Sequence, residues 1–216
     1  PGPPRPELRS RLEDHYGVSA VIDPGEAREL VLRGPRTPDR AVRVRDAVFG
    51  GGWIAIAAGP CAVEDGERLV EIARGVRRRG ATLLRGGAFK PRTSPYSFQG
   101  SGHAGLAALA RARLETGLGV VTEVLDPREV EAVSEAADMF QVGSRNMANT
   151  PLLTELGRAR KPVLLKRGFA ATLREFLLAA EFVLAGGNQE VVLCERGIRG
   201  FDPSTRNVLD LGAVAA

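Results

Sequence analysis

The sequence predicts an α/β fold of the (β/α)8-barrel type, because short apolar runs alternate with helical patterns at intervals of about 25–30 residues from position 53 onwards. The apolar runs are nearly continuous, which is typical of parallel strands that helices cover on both faces. A cysteine or charged residue closely follows each run, and a barrel brings all such positions to one mouth. A doubly wound nucleotide-binding sheet is disfavoured, since no GxGxxG motif follows the first run.

The alternation predicts six strands with five helices between them, two strands fewer than a complete barrel has. Two helices carry clear start signals: Asp126 precedes Pro127, and Thr172 stands in capping-box spacing with Glu175. The last segment, 202–216, is loop or helix. Strands are expected at 53–58, 81–84, 119–123, 139–143, 162–166 and 189–193, and helices at 65–79, 105–116, 126–136, 150–160 and 172–185.

Residues 1–52 are predicted to form a short N-terminal appendage to a barrel domain at 53–216. The appendage is too short to bury a core of its own, so we expect either part of a regulatory domain or a hairpin that caps the barrel. Its expected elements are a helix at 7–15, a strand at 41–45, a hairpin formed by 46–53, and apolar runs of undecided type at 19–23 and 29–32.

Composition argues against two large classes of partner. The 216 residues include 30 lysines and arginines and 26 aspartates and glutamates, mixed along the chain, so the net charge of +4 predicts no nucleic-acid-binding stripe. No apolar run approaches the ~20 residues that a membrane helix requires, and no secretory signal is visible. The two cysteines lie far apart in sequence, which favours a reduced, cytoplasmic setting.

The stretch 84–100, LRGGAFKPRTSPYSFQG, is the best candidate for a binding loop. It places Arg85, Lys90 and Arg92 within eight positions, among glycines, prolines and hydroxyl residues. Arginine offers a planar fork to two anionic oxygens, and lysine adds a point charge. The stretch therefore predicts a surface that binds phosphate or carboxylate, although a basic solvated loop would have the same composition.

Six cations are expected around one mouth, together with one carboxylate, Glu123. Such a cluster would repel itself unless anions normally occupy it, which indicates ligands with several negative charges. Lys166 and Arg167 are adjacent on a strand, so only one can point inward, and we choose Lys166. Glu123 could hold a cation in place or handle a proton or water. The six cations are Arg85, Lys90, Arg92, Arg145, Lys166 and Arg196.

Cysteine and histidine leave several interpretations open. Cys61 follows Gly-Pro at the end of the first strand, where it could ligate a divalent metal, act as a nucleophile or lie buried and inert. Cys194 is expected to be inert. His103 could touch a substrate, whereas His15 is expected on the surface.

Six long motifs resemble the 3-deoxy-D-arabino-heptulosonate 7-phosphate (DAHP) synthases, most closely the compact class Iβ branch. The resemblance covers about residues 41–216. It implies condensation of phosphoenolpyruvate with erythrose 4-phosphate, the first step of the shikimate pathway. The motifs are AGPCAVE (58–64), LRGGAFKPRTSPYSFQG (84–100), VVTEVLD (120–126), QVGSRNMAN (141–149), KPVLLKRGFAAT (161–172) and LCERGIRGFDPSTRNVLDL (193–211).

The resemblance also implies roles for individual residues. Arg145, Lys166 and Arg196 look like the phosphoenolpyruvate clamp, with Arg85 and Lys90 facing the same substrate. Lys90, Pro91, Arg92 and Thr93 resemble the KPRT segment that holds erythrose 4-phosphate. Cys61 matches a thiolate ligand of a divalent metal (Mn, Fe, Zn or Co), and Glu123 matches a carboxylate near the attacking water. Of these residues, Lys90, Glu123 and Lys166 are the catalytic candidates.

The resemblance does not cover residues 1–40, and it stops before the last two strands of the family's barrel. The family's barrel continues with a seventh strand bearing a metal-binding His and an eighth followed by Glu and Asp ligands. We therefore expect a truncated sequence that is inactive and binds metal poorly by itself, and a homo-oligomer (dimer or tetramer) when complete. Two alternatives stay open: 3-deoxy-D-manno-octulosonate 8-phosphate synthase, which the KPRT segment disfavours, and a non-catalytic phosphate-binding relative.

Overall fold

The computed structural model describes residues 6–16, 30–32 and 39–215. Its main body is a six-stranded sheet in which each strand pairs in parallel with the next one in the chain, in the order β3 to β8. The predicted α/β class and the six parallel strands are thereby confirmed. The strands are β1 Val42–Val44, β2 Ala47–Phe49, β3 Ala57–Ala58, β4 Leu83–Arg85, β5 Gly119–Glu123, β6 Met139–Val142, β7 Val163–Lys166 and β8 Val191–Cys194.

Helices connect successive strands of this sheet, and their start signals work largely as predicted. Thr172 and Glu175 form a reciprocal capping box. Asp126 accepts a hydrogen bond from the Arg128 amide, but it caps a 3-10 turn, Pro127–Glu129, that precedes the α-helix. The helices are α1 Pro6–Glu13, α2 Gly66–Arg78, α3 His103–Thr116, α4 Val130–Ala136, α5 Thr150–Arg158, α6 Leu173–Ala185 and α7 Leu211–Ala215.

A hairpin of β1 and β2 packs near the amino-terminal ends of the sheet strands. Val44 and Ala47 are buried in one apolar cluster with Leu83, Val121 and Met139. The turn of this hairpin lies between Val44 and Ala47, not in the glycine run that was expected to form it. Because three φ-permissive glycines follow β2, the chain makes a second tight turn there, with a bridge between Gly50 and Trp53.

The first sheet strand is shorter than predicted. Only Ala57–Ala58 pairs with β4, and Trp53 and Ile54 are 76% and 89% exposed. Within the described residues β3 pairs on one side only, so its apolar run lacks the second neighbour that would bury it. None of the described helices is long and apolar enough to cross a membrane.

The expected helix at 7–15 is present as α1, whereas the run at 19–23 lies outside the described residues. Of the run at 29–32, residues 30–32 are described. The amides of Leu30 and Val31 donate to the carboxylate of Glu181 on α6, at 3.0 and 2.9 Å. This contact fastens Leu30 and Val31 to α6 in the outer helical layer.

Two glycines allow α5 and α6 to approach closely. A Cβ on Gly157 would lie 2.9 Å from the Cα of Gly186 and 2.9 Å from the Val183 carbonyl oxygen. We predict that Gly157→Ala lowers the free energy of unfolding by about 1–3 kcal/mol, since two backbones would have to separate. Chemical denaturation measures this change.

The matched control is Gly75→Ala on α2, where a Cβ would have only the Arg79 guanidinium at 3.9 Å. There the free energy of unfolding should rise by about 0.5–1 kcal/mol, because alanine stabilises a helix relative to glycine. Equal effects of the two substitutions would contradict the close-approach argument.

Candidate functional site

A polar cavity of about 610 Å3 opens at the carboxyl ends of the sheet strands. All ten site residues predicted from the sequence line it, and eight of its eighteen lining residues are cationic. Glu123 is its only carboxylate among the described residues. The lining residues are Cys61, Arg85, Lys90, Pro91, Arg92, Thr93, Ser94, Ser97, Glu123, Gly143, Ser144, Arg145, Lys166, Phe169, Arg196, Arg199, Arg206 and Asn207.

The parallel topology explains this convergence. Arg85, Glu123 and Lys166 are the last residues of β4, β5 and β7. Arg145 lies in the 3-10 turn after β6, and Arg196 lies two residues beyond β8. Since the carboxyl ends of neighbouring parallel strands share one edge, side chains distant in sequence meet there.

A buried ion pair lies within this cluster. Lys90 Nζ is 3.5 Å from Glu123 Oε2, and the two residues are 7% and 6% exposed. A Cβ on Gly143 would lie 1.9 Å from Glu123 Oε1, and a Cβ on Gly87 would lie 2.4 Å from Lys90 Cδ. The two glycines therefore leave the space that the pair occupies.

The loop after β4 is held by its own hydrogen bonds. The Lys90 amide donates to the Gln99 carbonyl oxygen at 2.8 Å, and Arg92 Nε donates to the Phe98 carbonyl oxygen at 3.0 Å. Arg145 Nη2 donates to Thr93 Oγ1 at 3.0 Å, which joins this loop to the turn after β6. Two segments that are 52 residues apart thus form one wall of the cavity.

Lys166 and Arg167 occupy different environments, as their adjacency on a strand requires. Lys166 lines the cavity, and burial lowers the pKa of its amine, with further lowering by Arg85 and partial compensation by Cys194 and Glu123. Arg167 is buried elsewhere and donates to Glu195 and to Asp210, each at 2.8 Å. These two hydrogen bonds raise the pKa of Arg167.

The Arg167 contacts also fasten the segment 195–210, which carries Arg196, to the end of β7. Glu195 Oε1 accepts from the amides of Arg196 and Gly197, at 2.8 and 2.7 Å. Arg196 in turn donates to the side chain of Asn207. Burial lowers the pKa of Arg196, and the neighbouring arginines lower it further.

Cys61 is exposed at the rim of the cavity, contrary to the inert buried alternative. Partial burial raises the pKa of its thiol, but the charges of Lys90 and Arg85 and a hydrogen bond from Arg85 outweigh this effect, so the pKa is lowered overall. Two residues before Cys61, a Cβ on Gly59 would lie 2.1 Å from the Arg85 carbonyl oxygen. Glycine at this position therefore lets the backbone before Cys61 pass close to the end of β4.

Cys61 is a suitable thiolate donor, but the described residues do not complete a metal centre around it. No three His, Cys, Asp or Glu side chains lie close enough together to hold a metal ion in the part of the chain that the structure describes. Burial raises the pKa of the Cys194 thiol, which is compatible with the inert role expected of it.

One sequence prediction, that His103 could touch a substrate, differs from the structure, and several residues that line the cavity were not predicted. His103 does not line the cavity: its ring meets Phe89 edge-on, and its Nε2 lies 3.6 Å from Glu129. After the sixth strand the sequence prediction included only the first arginine, Arg196, and missed the later ones. An arginine-rich segment after the sixth strand was the available signal, whereas no pattern indicated Phe169. The missed lining residues include Phe169, Arg199, Arg206 and Asn207.

Comparison with known proteins identifies similar chains of greater length. Phospho-2-dehydro-3-deoxyheptonate aldolase of Thermotoga maritima is 45% identical over 213 residues, which are 99% of this chain and 63% of the relative. A 2-dehydro-3-deoxyphosphooctonate aldolase of Syntrophotalea carbinolica is 34% identical over 168 residues, 74% of this chain and 60% of that relative. The chain thus spans about three fifths of the length of these curated relatives.

Solved structures agree with the sequence comparison. The crystal structure of the Thermotoga maritima aldolase, also titled DAHP synthase, superposes with a TM-score of 0.77 at 47% identity, covering 82% of this chain and 51% of that one. A truncated form of 3-deoxy-D-arabino-heptulosonate 7-phosphate synthase from the same organism gives 0.74 at 44% identity, covering 82% and 64%. Residues 37–216 match the DAHP synthetase I family, and the chain therefore belongs to that family.

Proposed function

We propose that this chain carries the substrate-binding mouth of an enzyme that condenses phosphoenolpyruvate with erythrose 4-phosphate. The observation that carries the proposal is the cavity itself, in which eight cationic side chains face one carboxylate. Phosphate esters and a carboxylate supply the negative charges that such a cluster requires. The family membership and the Thermotoga maritima relative support the same reaction.

The reaction consumes one water and gives DAHP and inorganic phosphate. Carbon 3 of phosphoenolpyruvate attacks the aldehyde carbon of the tetrose phosphate, and the aldehyde oxygen takes up a proton. Water adds to carbon 2, and phosphate then leaves by cleavage of its C–O bond. The protein's contribution is to hold two anions in register and to stabilise charge as it develops.

We assign these tasks to the lining residues as the family resemblance implies. Lys166, Arg145 and Arg196 are assigned to phosphoenolpyruvate, and the segment 90–93 to the tetrose phosphate. Arg145 joins the two halves, because it also donates to Thr93. Among the described lining residues, Glu123 is the one carboxylate available to accept a proton from water, and Lys90 keeps it in place.

The assay that tests this function supplies phosphoenolpyruvate with either erythrose 4-phosphate or arabinose 5-phosphate. In a chain of the relatives' full length that contains these residues, we expect DAHP from the tetrose and no appreciable product from the pentose. Arg145→Ala should lower the rate by about 100-fold, the loss typical for removal of a charge-stabilising donor. The substrate preference and the rate of Arg145→Ala are both measured from the release of phosphate and the appearance of the heptulosonate.

The control is Arg158→Ala, which removes an exposed arginine that pairs with Glu155 on α5, away from the cavity. Its activity should match that of the unsubstituted protein. Preference for the pentose would favour the octulosonate alternative, to which relatives 32–36% identical belong. Binding without turnover would favour the non-catalytic alternative.

The lowered pKa of Lys166 predicts a pH dependence of binding. Above this pKa the amine is neutral and no longer attracts an anion. Affinity for phosphoenolpyruvate should therefore fall with rising pH earlier than an ordinary lysine would allow. Lys166→Arg keeps its charge and should lose this step, as titration calorimetry across alkaline pH would show.

Cys61 also lies in the cavity and has a lowered pKa. The calorimetric titrations with phosphoenolpyruvate across alkaline pH are therefore repeated with Cys61→Ser. The Lys166 assignment predicts that the step persists in this variant. An identical pH profile for the unsubstituted protein and Lys166→Arg would be evidence against it.

A divalent metal ion is part of the proposal, with Cys61 as one ligand. In a chain of the relatives' full length that contains these residues, Co2+ should give a thiolate-to-metal charge-transfer absorption. Cys61→Ser should abolish this absorption and Cys194→Ser should retain it, because the Cys194 thiol has a raised pKa. Persistence of the band without Cys61 would remove this residue from the metal site.

Cellular location and assembly belong to the same proposal. Both cysteines are free thiols in the structure, which is compatible with a reduced cytoplasm. We propose a cytoplasmic homo-oligomer, dimer or tetramer, whose size analytical ultracentrifugation of the protein would measure.

A further inference from the structure

Phe169, in the loop between β7 and α6, contacts three arginines at once. The guanidinium carbons of Arg199, Arg196 and Arg145 lie 4.4, 4.7 and 5.2 Å from the centre of its ring. All three distances are within the range in which a cation is attracted to an aromatic face. The arginines come from two different strand ends, so the ring is the group that they share.

Three like charges around one ring need a stabilising contact. The side-chain hydrogen bonds described for Arg145 and Arg196 go to neutral oxygens: Thr93 for the first, Gly197 and Asn207 for the second. Arg196 Nε is buried without a hydrogen-bond acceptor in the described protein. No carboxylate within ion-pair distance of these guanidinium groups is described, so the cluster keeps its charge.

A carboxylate at this position would stabilise the arginines but also neutralise them, and an anionic ligand would then have to displace it. An aromatic ring attracts each cation through its quadrupole and leaves the net charge unchanged. The backbone adds to this arrangement, because the Arg199 amide donates to the Phe169 carbonyl oxygen at 2.8 Å.

We propose that Phe169 is a positioning residue whose ring holds Arg145, Arg196 and Arg199 together as a charged cradle for a phosphoryl group. The ring itself need not touch the ligand, since it acts through the three guanidinium groups. The identity of the phosphoryl group as that of a substrate rests on the proposed function. The arrangement of the arginines does not rest on it.

The test compares Phe169→Leu, which removes the ring but keeps an apolar side chain, with Phe169→Tyr, which keeps the ring. In the unsubstituted protein the Nε protons of the three arginines should show ring-current shifts in NMR spectra. These shifts should disappear in Phe169→Leu and return in Phe169→Tyr. Affinity for inorganic phosphate should fall about 10-fold in Phe169→Leu, the size of one to two cation–π contacts.

Phe201→Leu is the matched control, because Phe201 is fully exposed in the segment after β8 and does not line the cavity. It should change neither the arginine shifts nor the affinity. Unfolding midpoints of all variants are measured, and the NMR and phosphate measurements are made well below the lowest midpoint, so that loss of folded protein does not account for the effect of Phe169→Leu.

Arginine resonances that are unaffected by Phe169→Leu, or phosphate affinity equal to that of the unsubstituted protein, would overturn the inference. Absence of DAHP formation by a chain of the relatives' full length that shows the predicted shifts and phosphate affinities would contradict the proposed function and support the positioning role. Normal DAHP formation together with unaltered arginine resonances in Phe169→Leu would support the proposed function and contradict the positioning role.

Discussion

Electrostatic repulsion among eight cationic side chains at one end of the sheet is the constraint that shapes this structure. Charges of one sign in a partly buried cavity raise the free energy of the folded chain unless other groups compensate. Three kinds of compensation are present. Together they leave most of the positive charge available to a ligand.

The first is the Lys90–Glu123 pair, which removes one charge within the cavity. The second is the Phe169 ring, which attracts three guanidinium groups and neutralises none. The third lies outside: Arg167 binds Glu195 and Asp210, and so fixes the segment that carries the later arginines. A cluster that is held but not neutralised is suited to bind anionic groups such as phosphate.

The opposite end of the sheet, where the strands begin, contributes to stability and not to binding. There the β1–β2 hairpin packs Val44 and Ala47 against residues of three sheet strands. Apolar packing near one end and charge near the other separate stability from binding, as is usual in barrels built from parallel strands. Glycines serve both ends, since Gly143 makes room for Glu123 while Gly157 and Gly186 let two helices approach.

The sequence by itself determined the alternation of strands and helices, the capping box at Thr172, and the residue type that follows each strand. These features are local, because periodicity and capping depend on neighbours within a few positions. It also indicated Lys166 over Arg167, and the ten candidate residues do line one cavity. The family motifs strengthened the same reading, since they fall on the strand ends.

Only the tertiary structure decided the rest, because contacts between distant segments leave no local pattern. The aromatic–arginine cluster joins residues from the ends of β6, β7 and β8, so no spacing in the sequence reveals Phe169. Likewise, the exposure of Trp53 and Ile54 depends on which strand lies beside β3, and an apolar run alone cannot specify that neighbour.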